Sequence, residues 1–225
     1  MNSLIACAPC CWGVESATNV HNPSWKTVIL ESKAAGYQGI ELGPFGYMPL
    51  EGEFINKATK ENGLVICAGT LFEPLSSLEH KEAILSRTHD LCSMLQRVGS
   101  KKLVVIDCVN DARSACAGLS DEAPRLDNQL WDTMMQTIRD IAVIAKHYGI
   151  RPVVHPHAGG YIEYRDEIDR MLADLTSEEV GLCLDTGHLY YAGMDPAGSL
   201  IAYVSRLEYV HFKDSNHAVF SGVIK

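Results

Sequence analysis

Short apolar runs recur along the chain, and between them lie longer stretches whose apolar residues fall three or four positions apart. This alternation of strand-like and helix-like periods constrains the fold more than any other feature. A strand that is apolar on both faces must be covered on both, and helices between successive strands do that. The runs are "LIACA", "GIEL" at Gly39–Leu42, "LVICAG" from Leu64, "KLVVIDCV", "RPVVHPH", "VGLCLD" and "LEYVHFKD", seven in all. Each connection is long enough for a right-handed crossover between parallel strands. An open doubly wound sheet and a (β/α)8 barrel both satisfy the pattern.

Local signals bound the helices. Asn22 is expected as the N-cap of a helix near Ser24–Ala35, with Pro23 in the first turn and Gly36 as the stop. A second helix is expected around Phe54–Glu61, ended by Asn62 and Gly63. Ser76 and Glu79 read as a capping box for a helix carrying Ile84, Leu85, Leu91, Leu95 and Val98 and closed by Gly99. "NDARSACAGLSDEAPRLDN" has no period and is expected to decorate a rim. A long helix is predicted from Gln129 to Tyr148, with Trp131, Met134, Met135, Ile138 and Ile141 on one stripe. Shorter ones are predicted at Asp166–Leu175 and after Asp195 and Pro196.

The placement of polar residues chooses between the two architectures. A doubly wound nucleotide-binding sheet carries its phosphate turn after the first strand, and here that turn reads "CAPCCWGVES", with neither GxGxxG nor GxxxxGK(S/T). Instead Glu41, Asp107, His155, His157, Asp185, His188, His211, Lys213 and Asp214 stand at the ends of several strands, as residues at the mouth of a barrel do. The expected fold is therefore α/β, a (β/α)8 TIM-type barrel with seven clear strands, in a single domain over 1–225. Only about 11 residues follow the seventh run, so the domain is expected to be shortened at its C-terminus relative to the ~250 residues typical of the fold. The open edges of strands one and seven invite self-association, hence a homo-oligomer, unless the strand-like "AVFSGVIK" patches them.

A hydrophobic content of 47% is ample for a buried core, and a net charge of -9 without any Lys/Arg run disfavours nucleic acid and anionic membranes as partners. A small-molecule partner is expected. No segment approaches the roughly 20 apolar residues of a membrane span, and "MNSLIACAPCCWG" lacks a basic n-region. The eight cysteines are scattered without the dense spacing of a stapled scaffold, so reduced thiols and a cytoplasmic location are expected. "CAPC" lies in an apparent strand rather than opening a helix, which favours packed or accessible thiols over a redox pair.

Alternate residues of a strand share a face, so His155 and His157 point one way, as do His211 and Lys213. His188 follows Asp185 in "DTGH", a turn from which it reaches back over the opening. His155, Asp185 and His211 come from three successive strands. Two imidazoles and a carboxylate suit Mn²⁺, Fe²⁺, Co²⁺ or Zn²⁺ with positions left open for substrate. Each residue also has a duller reading. A lone histidine is usually a surface or satisfied core residue, Glu41 equally fits an ion pair or a helix cap, and Lys213 with Asp214 equally fits a rim ion pair. Spacing alone leaves both readings open.

The stretches "GYQGIELGPFGYMP", "VVHPHAGGYIEYRDEIDRML", "VGLCLDTGHLYYAGMDP" and "LEYVHFKD" resemble the xylose isomerase-like barrels, most closely their myo-inosose-2 dehydratase branch. The resemblance runs from "CWGVES" to "HFKD". It implies a divalent metal, Mn²⁺ or Co²⁺ before Zn²⁺ or Fe²⁺, at the C-terminal mouth of the barrel, and a polyhydroxy ketone or sugar as substrate. In that family a Glu on strand five, an Asp on strand six, a His on strand seven and a Glu on strand eight hold the metal. Asp185 and His211 match the second and third. His155 stands at the first position, as in the HxH strand of the inosose dehydratase-like branch, and the fourth has no match.

The implied reaction is dehydration of a keto-inositol, in which a base removes the proton beside the carbonyl and an acid helps the β-hydroxyl leave as water. Glu41 and His157 are the candidates for acid–base work and Lys213 for a catalytic group gripping a substrate oxygen, with His188 and Asp214 binding substrate. A sugar isomerase or epimerase begins with the same proton abstraction and is the alternative. A catalytically inactive barrel remnant is the reading from another class. A nuclease on the same fold is disfavoured by the acidic balance.

Overall fold

The computed structural model describes residues 4–116 and 118–223. Strands and helices alternate as β1 (Ala6–Cys7), α1 (Trp25–Ala34), β2 (Gly39–Ile40), α2 (Gly52–Glu61), β3 (Val65–Ile66), β4 (Gly69–Glu73), α3 (Lys81–Val98) and β5 (Lys102–Asp107). There follow α4 (Asp111–Ser114), α5 (Asn128–His147), β6 (Arg151–Val154), α6 (Arg165–Asp174), β7 (Gly181–Asp185), α7 (Thr186–Tyr191), α8 (Pro196–Ala202), β8 (Leu207–His211) and α9 (His217–Val223). One sheet has the order β1-β2-β3 and the other β4-β5-β6-β7-β8. The pairings of β1 with β2, β2 with β3, β6 with β7 and β7 with β8 are parallel. All five residues of β7 are buried, as are all but the first of β5, which is why these strands read as unbroken apolar runs.

The chain divides into two compact units. The first comprises Met1–Leu71, Ser86–Val104 and Ile144–Arg151, the second Phe72–Leu85, Val105–Val143 and Pro152–Lys225. In the first, β1 to β3 pack with Val28 and Ile29 of α1 and Ile55 of α2 among the fully buried residues. Gly69 is a close-approach position there, since a Cβ would meet Leu91 and Leu95 at 3.1 Å. In the second, Trp131 of α5 is buried and its Nε1 donates to Asp174 Oδ2 at 2.7 Å, so a large apolar ring is seated without leaving its N–H unmatched.

Five expectations are corrected. The run from Leu64 is interrupted at Cys67 and Ala68, so it supplies two strands, β3 against β2 and β4 against β5, and the seven expected strands become eight among the described residues. Ser24, not Asn22, caps α1, its Oγ accepting from Thr27 N at 3.1 Å. Ser76 and Glu79 precede α3 in turns and form no capping box; Ser77 Oγ instead meets His80 Nδ1 at 2.7 Å. "DTGH" opens a helix, α7, rather than a turn. "AVFSGVIK" contributes to a helix, α9, rather than a strand: Asn216 Oδ1 accepts from Val219 N at 3.1 Å, and Phe220 packs on Tyr190 and Tyr191 with ring centroids 5.1 and 5.5 Å away.

Candidate functional site

The second unit gathers the charged and ligating side chains of β6, β7 and β8. Asp185 ends β7 and caps α7, its Oδ1 accepting from Gly187 N at 2.9 Å and His188 N at 3.1 Å. That pair of backbone donors fixes the carboxylate and leaves Oδ2 facing the histidines. His155 extends β6, its backbone N donating to Val105 O at 2.9 Å. Its Nε2 lies 3.6 Å from Asp185 Oδ2, and His211 Nδ1 lies 3.8 Å from the same oxygen. Lys213 Nζ is closer still, at 2.8 Å.

A register shift in β8 makes this arrangement. Leu182 pairs with Leu207 but Cys183 with Tyr209, so Glu208 is an extra residue in the ladder. Without it Asp185 would stand opposite Val210, whereas the shift sets it opposite His211. Bulges of this kind re-aim side chains and recur beside functional sites. Gly187 does a related service, because a Cβ there would sit 2.9 Å from Lys213 Cβ and push the lysine away.

Hydrogen-bond partners assign the histidine tautomers. His157 Nδ1 donates to Ala158 O at 2.8 Å, which leaves the Nε2 lone pair available. His188 Nδ1 accepts from Ala158 N at 3.2 Å, which places the neutral ring's proton on Nε2. Lys213 Nζ is 3.5 Å from that Nε2. Two donors therefore face one another across a gap that an oxygen acceptor would bridge. His155 Nδ1 is buried without a hydrogen-bond partner among the described residues.

Burial sets the charge state of the group. It holds His155 below the usual imidazole range, His157 down at about 4 and His188 at about 2, with neighbouring imidazoles adding to the depression of each. Burial would raise the Asp185 carboxyl, yet its contacts with His155, His188 and the Lys213 ammonium outweigh it and hold the group far below the usual carboxylate range. At neutral pH His155, His157 and His188 are therefore uncharged imidazoles beside one carboxylate.

A buried network stands behind the site. Arg113 of α4 is fully buried and donates to Glu167 Oε1 at 2.8 Å, Glu167 Oε2 at 2.9 Å and Glu163 Oε2 at 3.3 Å, and Arg125 also bonds Glu167. Glu163 Oε2 accepts from Gly159 N at 2.9 Å, so the network grips the loop that follows His157. Asp107, at the end of β5, holds the same loop through Tyr161 N at 2.8 Å and the end of β4 through Leu75 N at 3.1 Å. Burial pushes its carboxyl up to about 6 in spite of those two donors.

Of the residues singled out from sequence, His155, His157, Asp185, His188, His211 and Lys213 come together. Asp214 lies at the mouth, lining a cavity of about 300 Å³ with Ser114, Gly159, His188, Tyr191 and Lys213. Glu41 is buried at the end of β2 in the first unit, its backbone N donating to Cys7 O at 2.9 Å. Sequence reasoning missed Arg113, Glu163 and Glu167, whose pairing over some fifty residues of chain leaves no local signal. It also missed Cys183, although two residues before Asp185 on a strand is a same-face position.

The family model described as xylose isomerase-like TIM barrel matches residues 29–223. The inosose dehydratase of Bacillus velezensis is 30% identical over 181 residues, 80% of this chain and 59% of that protein. The chain thus spans less than two thirds of that relative's length. Among solved structures, the probable 3-DHS dehydratase AsbF of Bacillus anthracis superposes with a TM-score of 0.77 at 16% identity, covering 99% of this chain and 77% of that one. The IolI protein with a bound zinc atom gives 0.71 at 15% identity, over 95% and 70%. At these identities the superpositions show a shared fold. No helix among the described residues is long and apolar enough to cross a membrane.

Proposed function

Since the chain belongs to the xylose isomerase-like TIM barrel family, we propose that it dehydrates a small polyhydroxy ketone of the keto-inositol kind with the help of a divalent metal. The carrying observation is the clustering of donors around Asp185 Oδ2, which lies 3.6 Å from His155 Nε2 and 3.8 Å from His211 Nδ1. The set fits a metal chemically. The His155 imidazole is neutral, the Asp185 carboxylate is ionised, and His155 keeps a buried nitrogen unmatched among the described residues.

In this reading His155, Asp185 and His211 hold the ion, Mn²⁺ or Co²⁺ before Zn²⁺ or Fe²⁺. The zinc in the IolI structure supports a divalent cation on this fold. A bound cation would supply Lewis-acid polarisation of the substrate carbonyl. His188 is set apart as a substrate group, because its Nδ1 is engaged by Ala158 N and its Nε2–H is turned toward Lys213. Together His188 and Lys213 grip a substrate oxygen. His157, with its free Nε2 lone pair and depressed basicity, accepts the proton from the carbon beside the carbonyl, and Asp214 contacts hydroxyl groups at the mouth.

The test is incubation of the protein with Mn²⁺ or Co²⁺ and a panel of keto-inositols and ketoses in deuterated buffer. Dehydration appears as a product lighter than the substrate by one water, and His157→Gln is expected to slow it at least ~100-fold, the scale of a general base. Deuterium entering the substrate without loss of water would mark an isomerase or epimerase instead. No turnover and no binding of the panel would fit the inactive remnant.

A further inference from the structure

Four features of β7 and its neighbours converge on a side chain that the proposed chemistry does not use. Cys183 is two residues before Asp185, so both point to the same face of the strand, and it is fully buried. Its Sγ, with one nitrogen each of His155 and His211, forms a group whose ligand atoms all lie within 4.8 Å of one another. The register shift that sets His211 opposite Asp185 begins at Cys183 itself. His155 Nδ1, also buried, has no hydrogen-bond partner among the described residues. We propose that the Cys183 sulfur is a ligand of the metal, making the site a mixed imidazole–thiolate–carboxylate centre selective for Zn²⁺ or Co²⁺ over Mn²⁺.

The inference rests on the divalent-metal reading given above and reverses its order of Mn²⁺ and Zn²⁺. Thiolate is a soft donor, and adding it to imidazole and carboxylate shifts preference from Mn²⁺ toward Zn²⁺ and Co²⁺. The balance is simple: the S–H bond breaks as the S–metal bond forms, the electron pair stays on sulfur, and the proton leaves to solvent. Metal–sulfur and metal–nitrogen bonds of ~2.3 and ~2.0 Å require the three donors to draw together slightly from their present spacing. His155 and His211 stand at the ends of β6 and β8 and Cys183 in the middle of β7 between them, so side-chain rotation would bring the donors together.

Co²⁺ titration of the full chain, followed by absorption spectroscopy, tests it without reference to turnover. The expected spectrum has visible d–d bands and an intense near-ultraviolet thiolate-to-cobalt charge-transfer band. Cys183→Ser, or Cys183→Ala if the buried hydroxyl impairs folding, should remove the charge-transfer band and keep the d–d bands. It should also weaken Zn²⁺ binding at least ~10-fold, the scale on which even outer-shell partners act, and leave Mn²⁺ binding nearly unchanged. Visible d–d bands without charge transfer, or a charge-transfer band that survives in the Cys183 variants, would overturn the thiolate ligand while the metal site stands. Failure of the wild-type chain to bind Co²⁺ at all would overturn both.

Discussion

Asp185 uses its two oxygens differently, and the difference makes it separable by mutation. Oδ1 caps α7 through Gly187 N and His188 N, while Oδ2 faces Lys213, His155 and His211. Asn caps a helix as well as Asp does, so Asp185→Asn keeps the turn and removes the charge. Thermal unfolding with and without Co²⁺ should show a rise in Tm for the wild type that is absent in Asp185→Asn. Asp185→Ala should lose that rise too, and in addition cost about 1 kcal/mol of stability as the cap disappears. A metal-induced rise equal to the wild type's in Asp185→Asn would remove this carboxylate from the ligand set. His155, Asp185 and His211 were legible in the sequence because each closes an apolar run at a strand end. The tautomers of His157 and His188 were not, since they are fixed by the backbone of Ala158 in three dimensions.

At the scale of elements, the alternation of periods placed most strands and helices, and the exceptions have physical causes. The tail reads as a strand by composition but is a helix because Asn216 caps it and Phe220 finds the rings of Tyr190 and Tyr191. The aperiodic segment after β5 reads as rim decoration, yet it delivers α4 and the buried Arg113 to carboxylates of the loop before α6 and of α6 itself. Removing that guanidinium takes the Arg113 charge away from Glu163 and leaves Glu167 to Arg125, so Arg113→Met should destabilise the protein by about 3–5 kcal/mol in urea unfolding. Adding Glu167→Met should recover part of the loss, because a buried charge that has lost one of its two guanidinium partners is then gone. A double variant less stable than Arg113→Met would show that Glu167 contributes mainly by other means, such as its acceptance from the backbone N–H groups of Glu163 and Tyr164 at 2.9 and 3.0 Å.

For the molecule as a whole, two electrostatic arguments give opposite optima, and a single profile decides between them. Net charge alone favours the compact state near the sequence pI of about 5.4, where self-repulsion is least. The buried histidines argue for a higher pH. An unfolded chain protonates its imidazoles near 6.5, whereas folded His157 waits until about 4 and His188 until about 2. Their folded values are depressed, so their contribution is complete above 6.5 and is lost as the pH falls toward those values. Asp107 works the other way. Its carboxyl is raised from 3.8 to about 6 by burial, so its contribution is present below 3.8 and is lost as the pH rises through 6. Burial raises the Glu163 carboxyl in the same direction. Three depressed imidazoles outweigh these two raised carboxyls, and the urea midpoint of the metal-free protein should rise from pH 4.5 to pH 7. His188→Gln should flatten that rise and Asp107→Asn should steepen it. A maximum near the pI, unmoved by either substitution, would mean that net charge rather than the buried cluster governs the stability of this fold.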